Sequence, residues 1–307
     1  MDFTIKNYRC FPDSRPTRLT VRPGFTAFVG SNNSGKSSLL RFFYEFRGLF
    51  QILANPHDLI FLLRTGGLRA FNPAPSVRDL ADLFCDGNTR DLTIEIEFLV
   101  PGRGKAKFMI SVLRPRNEFS VAFFIHGQRT NISDAIFFSL DNVATFPAGT
   151  IPNVATETDV DLGPFINSCA GLQRALYIGP FRNAINVGTG QEYFDIQVGQ
   201  SFVKAWRAYK TGATRSHNEA AWRLSEDIAR VFDFERLEIN PSPDDQTLQV
   251  FVNGKSYVVN EMGSGLAQFV IVLANAAIKK PTYILIDEPE LDLHPSLQID
   301  FLTTLAS

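Results

Sequence analysis

Cysteine is scarce. The chain of 307 residues holds three, Cys10, Cys85 and Cys169, far apart and without a C-x-x-C pair. This spacing argues against a cysteine-built zinc site and a disulfide framework, and reads as buried, reduced thiols. A charge excess is also lacking, since 30 Lys and Arg against 32 Asp and Glu leave a net −2. Overall charge therefore does not mark a nucleic-acid binder, and any such surface has to be a local patch. Asp2, Lys6, Arg9, Asp13, Arg15 and Arg18 interrupt the start of the chain, which does not match a secretory h-region. The longest apolar stretch, Phe269 to Ile278, stops at Lys279 and Lys280, well short of the roughly 20 residues that a membrane span needs. The expectation is a cytoplasmic protein with no membrane association. Internal repeats and low-complexity tracts are absent.

What is present is apolar surface: 45% hydrophobic residues, among them 28 Phe, against 20% charged. Such a chain builds a sizeable core and is neither disordered nor fibrous. Its length allows one elaborated α/β domain or two. Residues 2–8 and 19–29 are strand-like, and the pattern SSLLRFFYEFRGLF from Ser37 has helical spacing. Residues 51–90 carry scattered Pro and Gly and read as loops and short helices. Runs at 91–100, 106–114 and 118–128 have connections too short for crossover helices and predict an antiparallel meander. Residues 141–165 read as a mobile acidic loop, and RALYIGP at 174–180 as a strand. Helical patterns follow near 198–210 and 217–232, then a small β region at 235–259. The remainder predicts helix 264–278, strand 282–286 and a helix from Pro295.

Three motifs carry chemistry. Gly30-Ser-Asn32-Asn33-Ser34-Gly35-Lys36-Ser37, followed by Ser38, fits G-x-x-x-x-G-K-[ST] between a strand and a helix. Its glycines let backbone N–H groups curl around phosphates, Lys36 reaches the β and γ phosphates, and Ser37 ligates magnesium. Chance produces the four fixed positions in only about 1% of chains this long. The second motif is YILIDEPE at 283–290, a short apolar run ending in two carboxylates. At the C-terminal edge of a parallel strand, Asp287 would hold magnesium and Glu288 would orient or polarise the attacking water. The third is Glu261-Met-Gly-Ser264-Gly265-Leu-Ala-Gln268, whose Ser264 lies 23 residues before Asp287. Small residues at a helix start admit a phosphate, although a serine-capped glycine turn has the same composition.

GSNNSGKSS, a distant MGSGLAQ and then YILIDEPELDLHP together resemble the ABC-type ATPase head of SMC, RecF and OLD (overcoming lysogenization defect) proteins and of prokaryotic defence ATPases such as PtuA. The resemblance spans nearly the whole chain. It implies an α/β P-loop NTPase fold, an ABC-type head with a mixed central sheet, an antiparallel β subdomain and a helical insertion. In that frame 1–50 carries the first strands and the glycine loop, 51–175 the inserted loops and meander, 176–260 a helical and small β region, and 261–307 the signature and Asp-Glu strand. It implies ATP and Mg2+ as cofactors, and a head-to-tail homodimer, or a higher oligomer, with ATP between Lys36 of one chain and Ser264 of the other. Glu290-Leu-Asp292-Leu-His294-Pro295 would be the D-loop, although His294 also suits a turn before a proline-started helix. Arg182 in LYIGPFR would approach the nucleotide or the seam, or be a surface arginine after a strand. Tyr8 and Arg9 lie where such heads meet adenine, or form a half-buried edge pair. Gln51, Gln173 and Gln191 are the candidates for the glutamine loop. A switch histidine is not reached by Ser307, so the head is expected to continue in a longer protein; a Toprim nuclease domain would lie beyond.

Two basic groups complete the inventory. Arg103, Lys105, Lys107, Arg114, Arg116 and Arg129 face Glu118 alone, a patch that could track a nucleic-acid backbone or be a solvated face. Lys204, Arg207, Lys210 and Arg215 accompany Trp206 and Tyr209 on a helical pattern. The sequence reads as an ATPase whose ATP-dependent dimerisation controls an effector protein or a nucleic-acid transaction, in phage defence or DNA repair. The alternative is an ATP-binding scaffold with little turnover that assembles a partner effector. The residues present do not support nuclease activity.

Overall fold

A computed structural model describes residues 1–100, 104–130, 150–153, 158–180, 192–289 and 293–306. The chain divides into two compact units, Met1–Arg174 and Ala175–Ser307.

The first unit is built on a sheet of seven antiparallel strands: β1 (Asp2–Lys6), β2 (Thr17–Thr20), β3 (Arg69–Ala70), β4 (Leu92–Val100), β5 (Gly104–Val112), β6 (Glu118–Ile125) and β7 (Gln128–Thr130). Their order is β2-β1-β4-β5-β6-β3, with β7 also on β6. The predicted meander is therefore present, in continuous register from Leu92↔Val112 to Val100↔Gly104. Alternation decides which face is dry: Leu92, Ile94, Ile96, Phe98 and Val100 are buried while the residues between them are not. That face packs on helices α1 (Lys36–Glu45), α2 (Arg47–Leu53), α3 (Pro56–Thr65) and α4 (Gly163–Gln173). Phenylalanines make the junction, with Phe3 and Phe43 edge-to-face at 5.5 Å and Phe108 and Phe165 4.2 Å apart. A small hairpin, β8 (Thr150–Asn153) with β9 (Thr158–Asp161), completes the unit.

Two expectations are corrected here. The strand read over 19–29 ends at Thr20, because Pro23 has no N–H to donate and Gly24 turns at φ +100°. Phe25 and Val29 beyond it are 64% and 95% exposed, and no described ladder pairs with them. Apolar, β-branched composition does not make a strand without a hydrogen-bonding neighbour. The helix from Ser37 is two helices, since Phe46 at φ −96°, ψ 16° separates α1 from α2.

In the second unit β10 (Leu176–Ile178) pairs in parallel with β16 (Ile284–Ile286). Two further antiparallel groups are the hairpin β11 (Glu192–Tyr193) with β12 (Ile196–Gln197), and the meander β13 (Leu237–Pro241), β14 (Leu248–Val252), β15 (Lys255–Val258). Helices α5 (Gly199–Thr211), α6 (Arg215–Val231), α7 (Ser264–Lys279) and α8 (Pro295–Ala306) match the predicted patterns. Their core holds Trp206, Ile228, Phe269, Val270 and Phe301. A single mixed central sheet is not formed among the described residues: the large sheet is antiparallel, and the parallel pairing is β10 with β16.

Candidate functional site

The glycine loop leads into the helix that the motif requires, α1, whereas the strand expected before it ends at Thr20. Asn33 and Gly35 take left-handed backbone at φ +62° and +92°, and α1 starts at Lys36. Gly35 is needed twice over, because a Cβ there would lie 2.6 Å from Phe11 Cζ and 2.8 Å from Cys10 Sγ. Lys36 folds back so that its Nζ donates to the carbonyls of Gly30 at 2.7 Å and Ser31 at 2.9 Å. No side chain caps α1 and no acid stands in its first turn, so its leading N–H groups are not taken by a cap. Asn32, Asn33 and Ser34 are exposed, Ser37 and Ser38 half-buried. Together these are an ammonium and a row of amides at a helix N-terminus, which is anion-binding chemistry.

Behind the loop, Tyr8 is fully buried, which removes it as a stacking surface for a base. Its hydroxyl lies 2.6 Å from Glu45 Oε2 and 3.1 Å from the Ser38 carbonyl. Arg9, at φ +46°, pairs with both Glu45 oxygens, its Nε donating at 3.2 Å. Burial, reinforced by the Glu45 charge, pushes the Tyr8 phenol well above its ordinary range. Arg9 stays protonated despite its desolvation, with Tyr8 and Glu45 as its electrostatic and hydrogen-bonding partners. This cluster ties the end of β1 to the far end of α1. Beside it opens a cleft of about 550 Å³ lined by Arg9, Cys10, Ser38, Asp82, Phe84 and Asp86, among others. That volume is within the usual range of small-molecule sites.

In the second unit Asp287 stands at the end of β16, 4% exposed, and its N–H donates to the Ile178 carbonyl at 2.9 Å. Glu288 is exposed and holds left-handed backbone at φ +53°. For a non-glycine residue that conformation costs of order 1 kcal/mol and is concentrated at functional positions. The strand before them is half-buried rather than fully buried. Ser264 and Gly265 open α7, again with no side-chain cap and no acid in the first turn. His294 is exposed just before α8. The donors assigned to metal, the Ser37 hydroxyl and the Asp287 carboxylate, are hard oxygens. Hard oxygen donors of this kind are the type that Mg2+ takes. Among the described residues no group of three or more His, Cys, Asp or Glu could hold a metal.

The basic groups are largely consumed by structure. Lys107 pairs with Glu95 at 3.4 Å and lies over the Phe124 ring. Arg114 donates to the carbonyls of Cys85 and Asn88, and Arg116 pairs with Glu118 at 3.5 Å. Lys105 and Arg129 remain exposed. On α5, Arg207 pairs with Asp245, Lys210 donates to Ile239 O and Asn240, and Trp206 is buried with its N–H on Ile239 O. Arg215 pairs with Glu219, and Lys204 is exposed. Gln51 is exposed on α2 and Gln173 ends α4. Arg103, Arg182, Gln191, Glu290 and Asp292 lie outside the described residues. Sequence reasoning missed Glu45 and Tyr177; the first had a signal, a lone acid set among Phe42, Phe43, Tyr44 and Phe46.

Residues 1–135 match the model of a family described as AAA ATPase domain. The match covers less than half of the chain, contains the whole glycine loop and ends before Ser264 and Asp287. A search of curated proteins finds no match.

Proposed function

We propose that the protein is an ABC-type, OLD-like ATPase in which Lys36 and the N–H groups at the start of α1 bind the phosphates of ATP. The observation that carries this is Lys36 Nζ held across the Gly30 and Ser31 carbonyls at an uncapped helix start. The base and ribose extend into the cleft beside Ser38. Ser37 and Asp287 would each offer an oxygen to Mg2+, which would supply positive charge to neutralise the nucleotide's phosphates. Glu288, exposed at the strand end, accepts the proton of the attacking water. Ser264 and Gly265, at a second uncapped helix start, bind the γ phosphate of a second copy in a head-to-tail homodimer. Nucleotide contacts made only in the closed dimer would favour that state, and hydrolysis would release it. Such a cycle suits control of an effector in phage defence or DNA repair.

Two variants test this in full-length protein. Lys36→Ala should weaken ATP binding on the order of 100-fold, about 2.7 kcal/mol, and abolish turnover. Glu288→Gln should bind ATP, hydrolyse it slowly and shift from monomer to dimer in light scattering with ATP and Mg2+. Wild-type turnover in either variant refutes the assigned roles, and ATP binding without turnover in the unmodified protein favours a scaffold.

A further inference from the structure

Tyr177 belongs to none of the groups assigned above to phosphate, metal or water. It sits in the middle of β10, fully buried, and its hydroxyl donates to Asp287 Oδ2 at 3.5 Å. Register brings the two together. Tyr177 is paired with Leu285, and Asp287, two residues further along, projects from the same face of the ladder. The ring is itself held from behind. Phe194 meets it edge-on, with centroids 4.9 Å apart and planes at 78°. Phe194 occupies the tight turn between β11 and β12 at φ +52° and presses on Gly179, where a Cβ would lie 2.4 Å from its ring. The next residue, Asp195, accepts the Tyr177 backbone N–H at 2.7 Å, and Lys279 Nζ donates to the Asp195 carbonyl. The hairpin therefore restrains both the backbone and the ring of Tyr177.

We propose that Tyr177 is a positioning residue for Asp287: by donating to one carboxylate oxygen it fixes the rotation in which the carboxylate meets a divalent cation. The proposal rests on the reading of Asp287 as a magnesium ligand. Partners that orient a metal ligand set its affinity, and losing one costs about 10- to 100-fold. At 3.5 Å the contact is at the outer limit of a hydrogen bond, so the lower figure applies here.

The test is Tyr177→Phe in the full chain, which keeps the ring against Phe194 and removes the hydroxyl. Binding of a fluorescent ATP analogue is measured across a Mg2+ titration and in EDTA. The expected result is a Mg2+ half-saturation raised about tenfold, with affinity in EDTA unchanged. An unchanged Mg2+ half-saturation overturns the proposal. Asp287→Asn, run in parallel, separates the two failures. If it abolishes the Mg2+ effect while Tyr177→Phe has none, the positioning role alone falls; if it leaves the Mg2+ dependence at the wild-type value, the metal-ligand reading falls with it. Should Tyr177→Phe fail to fold, 3-fluorotyrosine placed at 177 retains the phenol. Its 19F resonance should then move when Mg2+ is added to the nucleotide-bound protein, and a resonance that stays put overturns the proposal.

Discussion

Replacing Glu45 with alanine should destabilise the first unit more than any surface charge change. Glu45 is 2% exposed and accepts from both Arg9 and Tyr8. Removing one partner of a buried ion pair costs roughly 3–5 kcal/mol, because the other charge is left buried. The Arg9 side chain is 25% exposed, so water recovers part of this and about 2–3 kcal/mol remains. Tyr8 keeps the Ser38 carbonyl at 3.1 Å as an acceptor, which limits its share to about 1 kcal/mol. The sum, about 3–4 kcal/mol, lowers the melting temperature by roughly 6–16 °C for a unit of this size. Urea and thermal unfolding followed by circular dichroism measure it. The pairing also makes a second demand: removing both charges, as in Arg9→Met with Glu45→Leu, should be milder than Glu45→Ala alone. A loss under about 1 kcal/mol for Glu45→Ala, or a double variant no better than the single, would refute the reasoning.

Gly35→Ala puts a Cβ 2.6 Å from Phe11 in a left-handed backbone at φ +92°, so stability should fall by about 1–3 kcal/mol and ATP binding should be lost; a stable variant with wild-type affinity counts against the close approach. Glu288→Gly relieves the strain at φ +53° and should stabilise by about 1 kcal/mol while ending turnover, and an active variant of unchanged stability would contradict both statements. Alkaline stability follows from Cys169 and Tyr8, whose burial raises them above ordinary values of 9.0 and 10.0. The unfolded chain ionises these groups first and binds fewer protons there, so the stabilisation is complete below pH 9 and declines progressively above it. Tyr8→Phe should flatten part of that decline in pH-dependent urea midpoints, and an identical slope in both proteins would exclude Tyr8 as its source.

Local patterning was enough for much of this protein. Alternation in LTIEIEFLV and its neighbours specified both the meander and its dry face, since a period of two leaves one register that buries the apolar set. The glycine loop was legible because its turn depends on a handful of consecutive residues, Gly30 to Ser38, that lead directly into α1. Helix boundaries at Ser264 and Pro295 followed from small residues and proline for the same local reason. The fate of the charges was not legible. Six cations between 103 and 129 read as a patch, yet Lys107 and Arg114 found partners at Glu95, Cys85 and Asn88 that lie more than ten positions away. Glu45 became a buried anchor because folding returns β1 to the end of α1, 36 residues later than Arg9. Tyr177 met Asp287 across 110 residues because a parallel ladder sets its register by pairing, not by chain distance. Composition and period determined which segments would be dry and which loop would open a helix without a side-chain cap. Tertiary structure decided which charged and polar groups were matched, because a buried charge takes whichever partner the packing delivers.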